Sequence, residues 1–249
     1  MATNTLRDWF QTPLGHYLLE KERAYLDEVT PDIFGFHALQ LGMSDTDLLR
    51  ENRITHKMRI AESGAVDLRA DCHELPLATQ SIDLVVLSHV LEFTDEPHAV
   101  LREVDRVMMP EGRLVIVGFN PWSLWGLRSA LGFSRNQYPW NGSFLSLLRV
   151  KDWLALLGFD VSAGRLIAYA PPFDSERWRR RFGFMEPAGD RWWAVGGAVY
   201  MLQAIKRVRG MRIITPAWQE QTAREKALVA AAKRESHGAK TAAHLRIVK

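Results

Sequence analysis

Six residues in this 249-residue sequence combine useful chemistry with a telling position: Gly42, Glu62, Asp71, Ser88, His89 and Asn120. Each follows a stretch whose pattern predicts a β-strand. In an open parallel sheet, ligands bind outside the carboxyl ends of the strands. A glycine there lets backbone approach a ligand closely. A carboxylate can accept from both hydroxyls of a ribose. An imidazole titrates near neutral pH, which makes His89 the candidate catalytic base; the plainer alternative is a hydrogen-bonded histidine at a strand end. These residue types at strand ends form the pattern of a nucleoside-binding crevice. Metal chemistry is not expected. The single cysteine, Cys72, excludes a multi-cysteine site and an intramolecular disulfide framework, and Cys72, His73 and His89 have no ligand spacing.

The elements that must position these residues follow from hydrophobic periodicity. Leu6 to Val29 reads as helix, with Pro13 suited to a first turn. Phe36 to Gly42 is a short apolar strand, and Ser44 or Asp45 could cap a helix from Thr46 to Asn52. Strands are predicted at His56–Ala61 and Val66–Ala70, and most clearly at Ile82–Leu87, which is apolar enough to be buried on both faces. Asp95 should cap a helix from Glu96 to Met108, ended by Pro110-Glu111-Gly112, with a further strand at Arg113–Gly118. That is the strand–helix–strand unit of a parallel sheet. Asn120 to Gly142 reads as a long aromatic loop, Val150–Leu157 as helix, and Phe159–Ala170 and Trp193–Ala204 as strands.

Three segments in order carry a family resemblance. Ala70-Asp71-Cys72-His73-Glu74-Leu75-Pro76-Leu77 is similar to the "GDAxxLPF" segment of class I S-adenosylmethionine-dependent methyltransferases. Ser81 to Phe93 resembles "SFDVVxSxxVLEH", and Glu103 to Ile116 resembles "ExxRVLKPGGxLVI". The sequence looks most like the type 11 branch. The resemblance covers roughly residues 34–207 and implies an α/β, Rossmann-like, seven-stranded and mostly parallel sheet. It implies three regions: an N-terminal helical extension at 1–33 covering the site, the methyltransferase-like domain at 34–210, and a basic tail at 211–249. It also implies S-adenosylmethionine as cofactor. Gly42 then passes the methionine end, Glu62 holds the ribose, Asp71 accepts from the adenine amino group beside the Cys72 backbone, and Ser88, His89 and Asn120 line the transfer point.

The sequence departs from the family pattern in two places. The glycine loop reads Leu41-Gly42-Met43-Ser44-Asp45, with one glycine where the family has "GxGxG". Only residues 63–70 separate Glu62 from Asp71, too few for two loops and a helix at about 1.5 Å rise per residue. The expected function is methyl transfer to a small, apolar or aromatic acceptor. The alternative is a non-catalytic descendant of the fold, acting in binding or regulation.

Composition bounds the partners. With 47% hydrophobic and 24% charged residues the chain is ordinary globular material. The formal charge of +3 suggests nucleic acid, but residues 211–249 carry eight Lys/Arg against three Glu. The remainder is slightly acidic, which disfavours a nucleic-acid partner. Arg177, Trp178, Arg179, Arg180 and Arg181 form a basic, aromatic stretch suited to peripheral contact with an anionic membrane. The resemblance implies that the loop after strand five builds the acceptor pocket, so Trp122, Trp125 and Trp140 there favour an apolar or aromatic acceptor. The longest apolar run, Trp192–Ile205, is too short to span a bilayer. The opening MATNTLRDWF has no charged-then-apolar leader, so a cytoplasmic location is expected.

Overall fold

Ile82–Ser88 (β4) shows why the sheet forms. Leu84 and Val86 point to one buried layer, and Ile82, Val85 and Leu87 to the other. A strand covered on both faces needs this continuous apolar run. In the computed structural model the other strands are His37–Leu41 (β1), His56–Ala61 (β2), Leu68–Arg69 (β3), Met108–Phe119 (β5), Phe159–Ile167 (β6) and Val199–Lys206 (β7). They form one seven-stranded sheet in the order β3-β2-β1-β4-β5-β7-β6. The β1–β2, β2–β3, β1–β4 and β4–β5 pairs are parallel; β7 runs antiparallel to both β5 and β6. The structure describes residues 5–132, 137–173, 175, 177, 181–183, 185–192 and 195–208. These belong to one compact unit, Met1–Val208.

Pro97–Val107 (α3) and Leu147–Leu156 (α5) pack on one face, through Val100, Leu101, Val104 and Val150, Leu154. The other face is covered by Leu6–Phe10 (α1) and Pro13–Val29 (α2), whose Trp9, Phe10, Leu14 and Leu18 meet Leu84, Val86, Val115 and Val117. The N-terminal segment is therefore a structural layer of the sheet as well as a cover. The expected single helix is two. Thr12 breaks it, its Oγ1 accepting from Gly15 N at 3.1 Å to cap α2. Gly15 lets the corner close, because a Cβ there would sit 2.3 Å from the Trp9 carbonyl oxygen.

Other local expectations also fail. Thr46–Asn52 is turns and bends, not a helix. The Gln40 carboxamide donates to the carbonyls of Met43 (3.0 Å) and Thr46 (2.7 Å) and accepts from Leu48 N (3.0 Å), taking groups a helix would need. Asp95 does not cap α3; the N-cap is Glu96 with no side-chain bond, and Pro97 starts the helix. The long loop after β5 contains Leu124–Ala130 (α4), capped by Ser123 Oγ on Gly126 N at 3.0 Å. Met185–Trp192 (α6) precedes β7, which begins at Val199 rather than Trp193. Between β2 and β3 there is no helix, as the short spacing requires. Trp178, Arg179, Arg180 and the tail at 211–249 lie outside the described residues.

Candidate functional site

A cavity of about 940 Å³ opens at the carboxyl ends of β1, β2 and β4. The loop after β1 forms its floor. Gly42 has φ +79°, and a Cβ there would lie 2.3 Å from the Ser88 carbonyl oxygen of β4. Only glycine allows the loop this close to β4. Gln40, completely buried behind the loop, fixes its carbonyls in place. Sequence reading missed Gln40; its signal was a polar residue between Leu39 and Leu41 in an otherwise buried strand.

The cavity brings together Gly42, Glu62, Cys72 and His89 from the sequence candidates; Asp71, Ser88 and Asn120 are not on its wall. Glu62 is exposed at the end of β2 and has no hydrogen bond or ion pair among the described residues. Cys72 is nearly buried beside it; burial pushes its thiol up to about 11, with the charges of Glu62 and Asp71 adding. Asp71 is bonded to the wall rather than part of it. Its Oδ1 accepts from His73 N at 2.8 Å and lies 2.5 Å from His73 Nδ1, and these bonds hold the carboxyl below its ordinary pKa. His73 Nε2 is 2.8 Å from Thr94 Oγ1, so it is His73, steadied at both nitrogens, that reaches the wall.

Ser88 is wholly buried under the floor, and its Oγ has no hydrogen-bond partner among the described residues. Asn120 is buried farther off, where Nδ2 donates to Val195 O (2.8 Å) and Gly197 O (2.9 Å). It ties the end of β5 to the entry of β7.

His89 follows β4 with φ +51° and contributes a buried edge to the cavity. Its Nε2 lies 2.8 Å from Glu22 Oε1 of α2, and its Nδ1 is 3.5 Å from Glu92 Oε1, an ion-pair distance too long for a good hydrogen bond. Glu92 Oε1 also accepts from Phe119 N at 2.6 Å. Burial opposes charge on the ring, but Glu22, by charge and hydrogen bond, and then Glu92 push its pKa up to about 10. At neutral pH His89 is therefore an imidazolium between two carboxylates. The Tyr200 hydroxyl is buried nearby, its pKa raised by burial and by the charge of Glu92.

The roof comes in part from the N-terminal segment. Arg7, Phe10 and Leu19 of α1 and α2 line the cavity, with Phe93 and Tyr138 facing them from the body. Phe93 and Tyr138 contact each other, ring centroids 5.2 Å apart. Arg7 forms an ion pair with Asp45 of the loop after β1. The expected tryptophans lie elsewhere. Trp125 is core, 6.1 Å from Trp9 and 5.7 Å from Trp140 by ring centroids, and Trp122 is 74% exposed. Among the described residues no group of three His, Cys, Asp or Glu is placed to hold a metal, and no helix is long and apolar enough to cross a membrane.

Comparison with known proteins agrees with this fold. A family model described as a methyltransferase domain matches residues 43–116. The chain is 36% identical over 155 residues to the uncharacterized protein YafS of Escherichia coli (strain K12), covering 61% of this chain and 65% of that protein. It thus spans less than two thirds of the curated relatives it matches first, at 65% and 60% of their lengths. An S-adenosylmethionine-dependent methyltransferase of Thermotoga maritima shares the fold, with TM-score 0.59, 15% identity and coverage of 80% of this chain and 93% of that one. So does the [4+2]-cyclase SpnF, at TM-score 0.54, 18% identity and coverage of 75% and 80%.

Proposed function

This chain has the class I methyltransferase fold, with a type 11-like domain and a degenerate glycine loop, and from that premise we propose that it transfers a methyl group from S-adenosylmethionine to a small, apolar or aromatic acceptor. The cofactor supplies a methyl group on an already activated sulfonium. Its site suits this chain: Gly42 leaves a backbone cradle, Glu62 is an uncommitted carboxylate, and the cavity, near the upper end of ordinary ligand pockets, has room for cofactor and acceptor together. The observation that carries the acceptor class is the roof. Phe10 and Leu19 of α1 and α2, with Phe93 and Tyr138 of the body, give the cavity an apolar, aromatic part.

In this reading Glu62 accepts from the ribose hydroxyls and the Cys72 backbone meets the adenine ring. Asp71 acts at one remove, holding His73 against the adenine side. His89 is a positioning residue. With Nε2 hydrogen-bonded to Glu22 and the ring charged, it has no free lone pair with which to take a proton. Catalysis then rests on proximity and alignment. The acceptor is one that needs no strong base, such as an ionised hydroxyl or a neutral amine. Residues 34–210 serve as the methyltransferase-like domain, residues 1–33 close its pocket, and the reaction is cytoplasmic.

A second reading, a non-catalytic binding or regulatory protein of the same fold, is favoured by one observation. The segment after Gly42 is turns, so no helix N-terminus faces the cavity there. Calorimetric titration with S-adenosylmethionine and S-adenosylhomocysteine separates the two. Micromolar binding weakened by Glu62→Ala supports the enzyme. Absence of heat at millimolar ligand rules the enzyme out and leaves the binding protein.

A further inference from the structure

We infer that Arg7 and Asp45 form a two-pole reader for the α-amino-acid end of the cofactor: Arg7 takes the carboxylate and Asp45 the ammonium. The inference rests on the cofactor reading above and assigns it two further residues, one from the N-terminal segment.

The argument begins with a missing device. A helix beginning after the first strand would offer free N–H groups and a positive dipole end to a ligand carboxylate. Here residues 43–51 are turns and bends, and the first α-helix after β1 is α3. Some other positive group must face a carboxylate at this loop. The wall is otherwise hostile to one, with Asp45, Glu62, Glu74, Asp95 and Glu96 all on it. Its two imidazoles are occupied, His73 by Asp71 and Thr94, and His89 by Glu22 and Glu92. Among the described residues Arg7 is the one arginine or lysine lining the cavity.

Its placement is built. Thr5 caps α1, accepting from Asp8 N at 3.1 Å, and Trp9 and Phe10 are buried in the core. Arg7 is left half-exposed at the cavity, its Nε paired with Asp45 Oδ2. Its terminal nitrogens make no hydrogen bond among the described residues, and they are the edge a guanidinium uses to grip a carboxylate. Asp45 is held between Arg7 and Ala65 N, 3.4 Å from its Oδ1. A zwitterion laid across the pair meets opposite charge at both ends. The nucleoside part of the cofactor has no such group, so the pair separates ligands by whether they carry the amino-acid tail.

The test compares S-adenosylhomocysteine with 5′-methylthioadenosine, which lacks that tail, by calorimetry on the full chain. Arg7→Ala should weaken S-adenosylhomocysteine binding about ten-fold or more while leaving 5′-methylthioadenosine within about two-fold. Asp45→Asn should act in the same direction, and Arg7→Lys should restore part of the loss, since a point charge replaces a fork. Retained 5′-methylthioadenosine binding also shows that each variant is folded. Unchanged S-adenosylhomocysteine affinity in Arg7→Ala, or equal loss of both ligands, overturns the two-pole reader and leaves the cofactor reading standing. A wild-type chain that binds neither ligand overturns both.

Discussion

Glu22 Oε1 and His89 Nε2 are 2.8 Å apart, and both side chains are shielded from solvent. The bond joins α2 to the end of β4, the strand whose carboxyl end carries the site. Its partners are 67 residues apart in sequence. Removing one member of a buried pair strands the other charge, which typically costs about 3–5 kcal/mol. Glu22→Gln keeps the shape and removes the charge, so it should lower unfolding free energy by roughly 3 kcal/mol. Chemical denaturation of the variant and the wild type measures this. A loss below about 1 kcal/mol would assign the bond no more than the worth of an exposed pair.

The same pair gives stability a pH dependence. The His89 pKa is about 10 in the folded chain, above the ordinary histidine value near 6.5. The folded state therefore holds the proton more tightly than the unfolded state. The stabilisation is complete below about pH 6.5 and is lost as pH rises toward and through 10. The melting temperature should fall between pH 7 and pH 10, and His89→Gln should flatten that slope while lowering the plateau. An equally steep slope in His89→Gln would place the titrating group elsewhere.

Cys72 offers a local probe of the cavity wall. It is the only cysteine in the sequence, so thiol alkylation reports on it alone. With its pKa raised to about 11, its thiolate fraction at pH 8 is on the order of a hundred-fold below that of an ordinary cysteine. Alkylation of the folded chain by iodoacetamide should be slower than that of the denatured chain by at least that ratio. Equal rates would mean that the loop after β3 exposes the thiol in solution.

What the sequence made legible was the part set by local pattern. The Ile82–Leu87 run, its parallel neighbours and the three family segments fix the sheet and the side on which the site lies. Gly42, Glu62 and Cys72 were legible because a strand end determines their place. The failures share a cause: a side-chain hydrogen bond competed with the local signal. The turn at 46–52 looked helical from its pattern, but Gln40 captures the Thr46 carbonyl and Asp47 Oδ1 accepts from Leu49 N at 2.9 Å. Asp71 looked like a wall residue because the motif could not show that His73 turns back onto it. Arg7 and Glu22 had no local signal for site placement at all. Each is an ordinary charged residue on an amphipathic segment until the fold brings it to Asp45 or His89.

The remaining prediction concerns the one glycine left in the degenerate loop. At Gly42 an added methyl group faces two obstacles. The backbone lies at φ +79°, where residues with a Cβ are strained, and the nearest obstacle is the Ser88 carbonyl oxygen at 2.3 Å. That oxygen belongs to a central strand flanked by β1 and β5, so it cannot retreat as a flexible side chain would. The loop must move instead, toward the cavity. Gly42→Ala should therefore cost about 1–3 kcal/mol of stability and weaken S-adenosylhomocysteine binding more than about ten-fold. Gly164→Ala on β6 is the control, because its added methyl would meet Leu202 Cδ1 at an ordinary 3.4 Å. The control should match the wild type in calorimetry and change stability by less than about 1 kcal/mol. If Gly42→Ala binds the ligand as tightly as the control does, the cofactor does not lie against this loop.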